Sequence, residues 1–218
     1  MSERLLRLLE DAARGSPPAT DGVVEVWPAP DGPVDAVLAF TAHHVVAAGV
    51  DPDLVAERLP DGDLGAPMSP GFLGWLGERL GSVPGSLDVV LAAKGVGGDP
   101  PLELRPVAGP GRHPRTARAA RYRGDLQVWT DPAGAGVVVL GRGLAGRREV
   151  SFEVDPARRD HGLGRLLVAA ARHLTPPSEV LFAQVTPGNA ASLRVVEAAG
   201  FRPIGAEVLF HRDGADPT

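Results

Sequence analysis

The segment Val154-Asp155-Pro156-Ala157-Arg158-Arg159-Asp160-His161-Gly162-Leu163-Gly164-Arg165 gathers glycine and arginine where a chain could hold phosphate groups. Glycines let a ligand come up against the main chain. The first N–H groups of a helix have no intrahelical partner and lie at the positive end of its dipole. A helix opened at Gly162 is therefore an anion cradle, with Arg158 and Arg159 adding positive charge beside it. A glycine at a helix start also serves simply as a turn, and this segment alone does not separate the two uses.

The flanking residues supply the elements that would hold such a cradle. Residues 149–154 alternate apolar and charged as a half-buried strand does, and Pro156 with the polar stretch behind it stops that strand. A helix then begins near Gly162, with Leu163, Leu166, Leu167, Ala170 and Leu174 on one face of a 3.6-residue period and Arg165 and Arg172 off that face. A second strand, Glu179 to Val185, leads through Thr186-Pro187-Gly188-Asn189 into a helical run over 190–199, and Gly200 suits the residue just past its end.

Together these pieces resemble the acyl-CoA-binding core of the GNAT acyltransferase superfamily. The family's R/Q-x-x-G-x-G/A pyrophosphate segment is matched by Arg159-Asp160-His161-Gly162-Leu163-Gly164, its V-x-P strand end by Val154-Asp155-Pro156, and its N-x-x-[AS]…G-F pattern by Asn189, Ser192, Gly200 and Phe201. The resemblance runs from about Leu102 to Phe210, and residues 1–98 carry no resemblance of this kind. It implies an α/β fold: a mixed, mostly antiparallel sheet with splayed central strands and flanking helices, to which a packed α/β N-terminal region is added. It also implies acetyl-CoA or another acyl-CoA as cosubstrate, with no metal. The cofactor would be bound by Phe152, Val154, Arg159, Asp160, His161, Gly162, Leu163, Gly164, Arg165, Asn189 and Ser192.

The activity implied is N-acetyl transfer, in which a primary amine attacks the thioester directly within a ternary complex. That chemistry needs a neutral nucleophile, a stabilised oxyanion and a proton for the departing thiolate. The resemblance gives the backbone of Phe152, Glu153 and Val154 the place beside the thioester carbonyl. Family members often have a glutamate six positions before the valine of V-x-P, where Arg148 stands here, so Glu149 and Glu153 become the candidate bases. The family's common tyrosine acid, seven residues after the asparagine, is replaced by Val196. Ser192 is then the candidate to stabilise the thiolate, and Asn189 to hold the pantetheine, orient the substrate or cap its helix. A competing reading is a catalytically inactive CoA-binding regulatory module.

Hydrophobic residues at 44% and charged residues at 22% argue against extensive disorder, and the absence of cysteine excludes disulfides and thiolate metal sites. The expected location is a reducing, cytoplasmic one. Residues 2–15 read as an amphipathic helix rather than a signal peptide, and no apolar run is long enough to span a bilayer, so no membrane partner is expected.

Net charge is −5, divided unevenly: residues 1–98 hold 14 acidic and 6 basic side chains, whereas residues 99–218 hold 13 and 16. A basic half suits an anionic cofactor, and an acidic half could draw a cationic amine. The acidic total argues against a nucleic-acid partner. The acceptor expected is a small-molecule or peptide amine, and a homodimer stays open.

Gly95 to Pro101 is the candidate boundary between an N-terminal region, 1–98, and a C-terminal domain, 99–218. The first is read as an acceptor-site lobe or a degenerate copy of the same fold. It offers a helix, strands at 23–27 and 35–48 (the latter one strand or a hairpin bending near Thr41), helices after Asp51 and Ser69, and a buried strand over 87–95. The second should run strand (LELRPV), basic helix (112–123), three antiparallel strands of which the last is REVSFEV, then helix, strand, helix and strand, a β-α-β-β-β-α-β-α-β order. Gly141-Arg142-Gly143-Leu144-Ala145-Gly146 fits a dinucleotide-binding G-x-G-x-x-G, but a strand pattern follows it where a helix is required, so it is read as a hairpin turn. His43 and His44 are adjacent, which on a strand points them to opposite faces.

Overall fold

A computed structural model describes residues 2–108 and 113–212. Arg112, which opens the expected basic helix, and residues 213–218 of the expected C-terminal domain lie outside the described residues. The chain divides into two compact units, Met1–Val90 with Ile204–Thr218, and Leu91–Pro203.

The first unit opens with α1 (Ser2–Ala13), whose apolar spacing buries Leu5, Leu9 and Ala12. Strand β1 (Val24–Trp27) follows, and then a hairpin of β2 (Val34–Phe40) and β3 (His43–Ala47). The 35–48 stretch is thus two strands, folded back at Thr41-Ala42, where Ala42 takes φ 51°. Next come α2 (Pro52–Arg58), capped by Asp51, and α3 (Pro70–Leu80), capped by Ser69, each with proline at its first position as a helix start allows. Strand β4 (Pro84–Lys94) starts earlier than its sequence suggests, and only its last residues before Lys94 are buried. Val37, Val46, Phe72, Leu76, Val208 and Phe210 form the core of this unit. Its strands lie in the order β1-β3-β2-β10-β4, where β10 is Arg202–His211.

In the second unit the order is β4-β9-β8-β7-β6-β5. Strand β5 shrinks to Arg105–Pro106, because proline lacks the N–H that a longer ladder needs. Then come α4 (Pro114–Tyr122), β6 (Gly124–Thr130), β7 (Gly136–Arg142), β8 (Arg148–Val154), α5 (Leu163–His173), β9 (Val180–Val185) and α6 (Ala190–Ala198). The G-x-G-x-x-G look-alike is the tight connection of the β7–β8 hairpin, including a 3-10 turn over Leu144–Gly146, and no helix follows it. The β2–β10, β2–β3, β5–β6, β6–β7 and β7–β8 pairs are antiparallel, and the β1–β3 and β8–β9 pairs are parallel.

The β7–β8 ladder fixes the two faces of the second unit. Gly136, Val138 and Leu140 pair with Val154, Phe152 and Val150, and a Cβ added at Gly136 would lie 2.6 Å from Leu167, so this face meets α5. Val137, Val139 and Gly141 pair with Glu153, Ser151 and Glu149. Val137 and Val139 pack with Ala119, so the second face meets α4. Among the described residues no helix is long and apolar enough to cross a membrane.

Candidate functional site

Strands β8 and β9 run parallel and, among the described residues, pair at Arg148–Leu181 and Glu149–Phe182 alone. Beyond Glu149 they part. Phe152, Glu153 and Val154 remain paired to β7 on one side, while the edge toward β9 carries main-chain groups without a strand partner. Such an edge can accept an extended ligand as an added strand.

Residues 155–162, all exposed, connect the end of β8 to α5. Asp155 caps the short 3-10 turn over Pro156–Arg158 by accepting from the Ala157 N–H at 2.9 Å. Arg159 folds back, its Nε donating to the Val154 carbonyl at 3.2 Å, and the His161 ring meets the Arg159 carbonyl. Asp160 (φ 64°) and Gly162 (φ 80°) both adopt the left-handed conformation and turn the chain into the helix.

No side chain caps α5, whereas Asp51, Ser69, His113 and Asn189 cap the other helices named above after α1. Its first N–H groups therefore face outward without a capping oxygen.

The two glycines of the cradle differ in use. A Cβ at Gly162 would meet nothing within 4 Å, so the space before it is open. A Cβ at Gly164 would lie 3.3 Å from Phe152, 3.5 Å from Val195 and 3.6 Å from Val154, so this glycine lets α5 press against β8 and α6. Leu163 is half-buried and reaches toward Gly136, and Arg165 is exposed. This local arrangement fits a pyrophosphate: bare N–H groups, open space and exposed guanidiniums at 158, 159 and 165.

On the opposite face, Glu149 and Glu153 are both engaged. Glu149 is 4% exposed and accepts from Arg147 Nε at 2.7 Å and from Arg123 Nε at 2.6 Å. Burial pushes its carboxyl up, but the charges and hydrogen bonds of Arg147 and Arg123 outweigh this and hold it below its ordinary value. It keeps its charge rather than taking protons. Glu153 is about one-third exposed and accepts from Arg115 Nε at 3.3 Å. Arg123 also donates to Ser151 Oγ and to Gln184 Oε1, both at 3.2 Å, and so bridges β8 and β9 where they separate.

Arg148 is on the other face, donating to Gln127 at 2.9 Å. Desolvation lowers its pKa, Glu179 opposes that, and Arg142 adds to it.

Asn189 caps α6, its Oδ1 accepting the Ser192 N–H at 3.1 Å, and is itself exposed. Ser192 is half-buried one turn before Val195, the residue that touches the Gly164 position. Val196 is buried in the core, so no acid projects from that position. Arg172 ties the far ends together, donating to the carbonyls of Ala199 at 2.8 Å and Lys94 at 3.1 Å.

No family model matches this chain, and no curated protein matches it. Among solved structures it is similar to an acetyltransferase of the GNAT family from Colwellia psychrerythraea, with 10% identity, 65% of this chain and 62% of that chain covered, and a TM-score of 0.43. A GCN5-related N-acetyltransferase from Kribbella flavida is similar at 17% identity, with 67% and 65% covered and a TM-score of 0.43. A tandem GNAT protein from the clavulanic acid biosynthesis pathway is similar at 15% identity, with 73% and 63% covered and a TM-score of 0.40. The matched part of the chain spans just under two thirds of the length of each.

Several polar residues of this unit escape sequence reasoning: Arg115, Arg123, Arg147 and Ser151. One signal was available. Arg115 and Arg123 are eight residues apart on a helix and its C-cap, about 12 Å at 1.5 Å per residue. Glu153 and Glu149 are four apart on a strand, about 13 Å at 3.3 Å per residue. Equal spans of opposite charge are what an antiparallel helix-on-strand tether requires.

Proposed function

We propose that the chain is an acyl-CoA-dependent N-acyltransferase, with acetyl-CoA or another acyl-CoA as donor and a primary amine as acceptor. The observation that carries this reading is the parting of β8 from β9 beside an uncapped, glycine-opened helix, within one unit. The cradle at 159–165 takes the pyrophosphate, with Arg158 in support. The free edge of β8 at Phe152, Glu153 and Val154 takes the pantetheine as an added strand and turns a main-chain N–H toward the thioester carbonyl, where the oxyanion develops. Asn189 and Ser192 stand at the sulfur end.

Of the two carboxylates, Glu153 is the better base, because Glu149 is buried between two guanidiniums and Glu153 is partly open to water. The acceptor's ammonium group gives one proton through water to Glu153, and the lone pair so freed attacks the thioester carbon. A C–N bond forms, the C–S bond breaks, and the thiolate leaves with the bonding pair. The proton lost by the new amide nitrogen goes to that thiolate, with Ser192 stabilising the sulfur and solvent supplying the acid that a hydroxyl alone cannot.

The test is thiol release from acetyl-CoA in the presence of a panel of amines. Glu153→Gln should lower kcat by about 10²- to 10⁴-fold, the usual worth of a positioned base, and Ser192→Ala should lower it less. Both should bind acetyl-CoA as the parent does. A CoA-binding module without catalysis is the second reading, favoured by the Arg115–Glu153 pair and the buried Val196. Saturable CoA binding with no thiol release for any amine would select it.

A further inference from the structure

We infer that the acceptor is an amine that also carries a carboxylate, of the amino-acid class, and that Arg115 selects it. The inference rests on the transferase reading and narrows it.

The starting point is which face the acceptor meets. The glycine cradle lies with α5 on the face of β8 that holds Phe152 and Val154. A cofactor that enters there and threads the parted strands delivers its thioester toward the other face, where α4 lies and where Arg123 spans Ser151 and Gln184. Helix α4 itself is basic. From Pro114 to Arg123 the chain has Arg115, Arg118, Arg121 and Arg123 and no acidic residue. Against β8, Arg115 meets Glu153, and Arg123 and Arg147 meet Glu149.

Arg147 is fully buried on Glu149, and Arg123 spends Nε, Nη1 and Nη2 on Glu149, Ser151 and Gln184. Arg115 differs. It gives Nε to Glu153 at 3.3 Å, is about one-third exposed, and its terminal nitrogens meet no partner among the described residues.

An amine with no other charge would approach a cationic helix and a base already paired with a cation. A carboxylate on the same molecule would take Arg115 in the two-pronged geometry that a guanidinium favours. Drawing Arg115 away leaves Glu153 free to receive the ammonium proton, so binding of the correct acceptor releases the base. The reacting bonds and protons are those already given: C–N forms, C–S breaks, one proton passes through water to Glu153 and one to the thiolate.

The experiment is thiol release by the full chain at saturating acetyl-CoA, with matched acceptors that differ by a carboxylate: alanine against ethylamine, and phenylalanine against phenethylamine. The carboxylated member should be used with at least about tenfold greater kcat/KM, the range of one charge-assisted hydrogen bond. Arg115→Gln should raise KM for the amino acids by about ten- to a hundredfold and bring each pair within about threefold, and Arg115→Lys should restore part of the preference. Equal or better use of the plain amines by the parent protein would overturn the inference and leave the transferase reading standing. So would a preference that Arg115→Gln leaves intact. Absence of thiol release with every amine, together with no acetyl-CoA binding, would overturn both.

Discussion

Glu149 and Glu153 look alike in the sequence and are unlike in the structure. They share one face of β8, four residues apart, and the alternation of the strand is all that sequence reasoning can use. What separates them comes from elsewhere in the chain: Arg147 and Arg123 close over Glu149, and Arg115 alone meets Glu153. Glu149→Gln should destabilise the protein by about 3 kcal/mol, because it removes a carboxylate from between Arg123 and the fully buried Arg147. Denaturant unfolding at neutral pH measures this.

The pH dependence has a definite sign. The folded carboxyl is held below its unfolded value, so its contribution is complete above the ordinary carboxylate range and is lost as pH falls through the lower, folded value. The difference in stability between parent and Glu149→Gln should shrink in strong acid. A difference that grows with acidification would contradict the assignment.

At the level of elements, the cradle was legible because glycine, proline and capping residues act locally. Pro156 ends β8, Gly162 opens α5, and Asn189 and Gly200 bracket α6 just where their types require. The α4 tether was not legible by such rules, since it depends on which helix face meets which strand face. The apolar face of α5 was only partly legible: Val168 and Ala171 are buried beside the expected Leu167 and Ala170, because the helix packs against both β7 and β8.

The two cradle glycines give a test at this scale. Gly164→Val should cost about 1–3 kcal/mol by forcing α5 off Phe152, Val154 and Val195. Gly162→Ala, which meets no atoms but keeps φ near 80°, should cost about 1 kcal/mol of backbone strain. Equal losses would mean that the helix does not depend on close approach at residue 164.

For the whole molecule, composition and charge bounded the answer without reaching it. The uneven charge marked the C-terminal half as the one suited to an anion, and the motifs within it are the basis for proposing an acyl-CoA there. The division into units was harder to read, since β10 is last in the sequence yet pairs with β2 and belongs to the first unit from Ile204 onward. Strand partners so distant along the chain leave no local signature. The proposed acceptor was out of reach for the same reason: the proposal rests on side chains that converge from α4, β8 and β9 and not on a contiguous motif.

The most direct test of the account is isothermal titration of the folded protein with acetyl-CoA, with dephospho-CoA and NAD alongside. Saturable binding of the CoA species is the expected result, weakened at least tenfold by Gly162→Glu, which places a carboxylate in the open space before α5, and reduced by Arg159→Ala. No CoA binding in a folded sample, or binding that Gly162→Glu leaves unchanged, would contradict it.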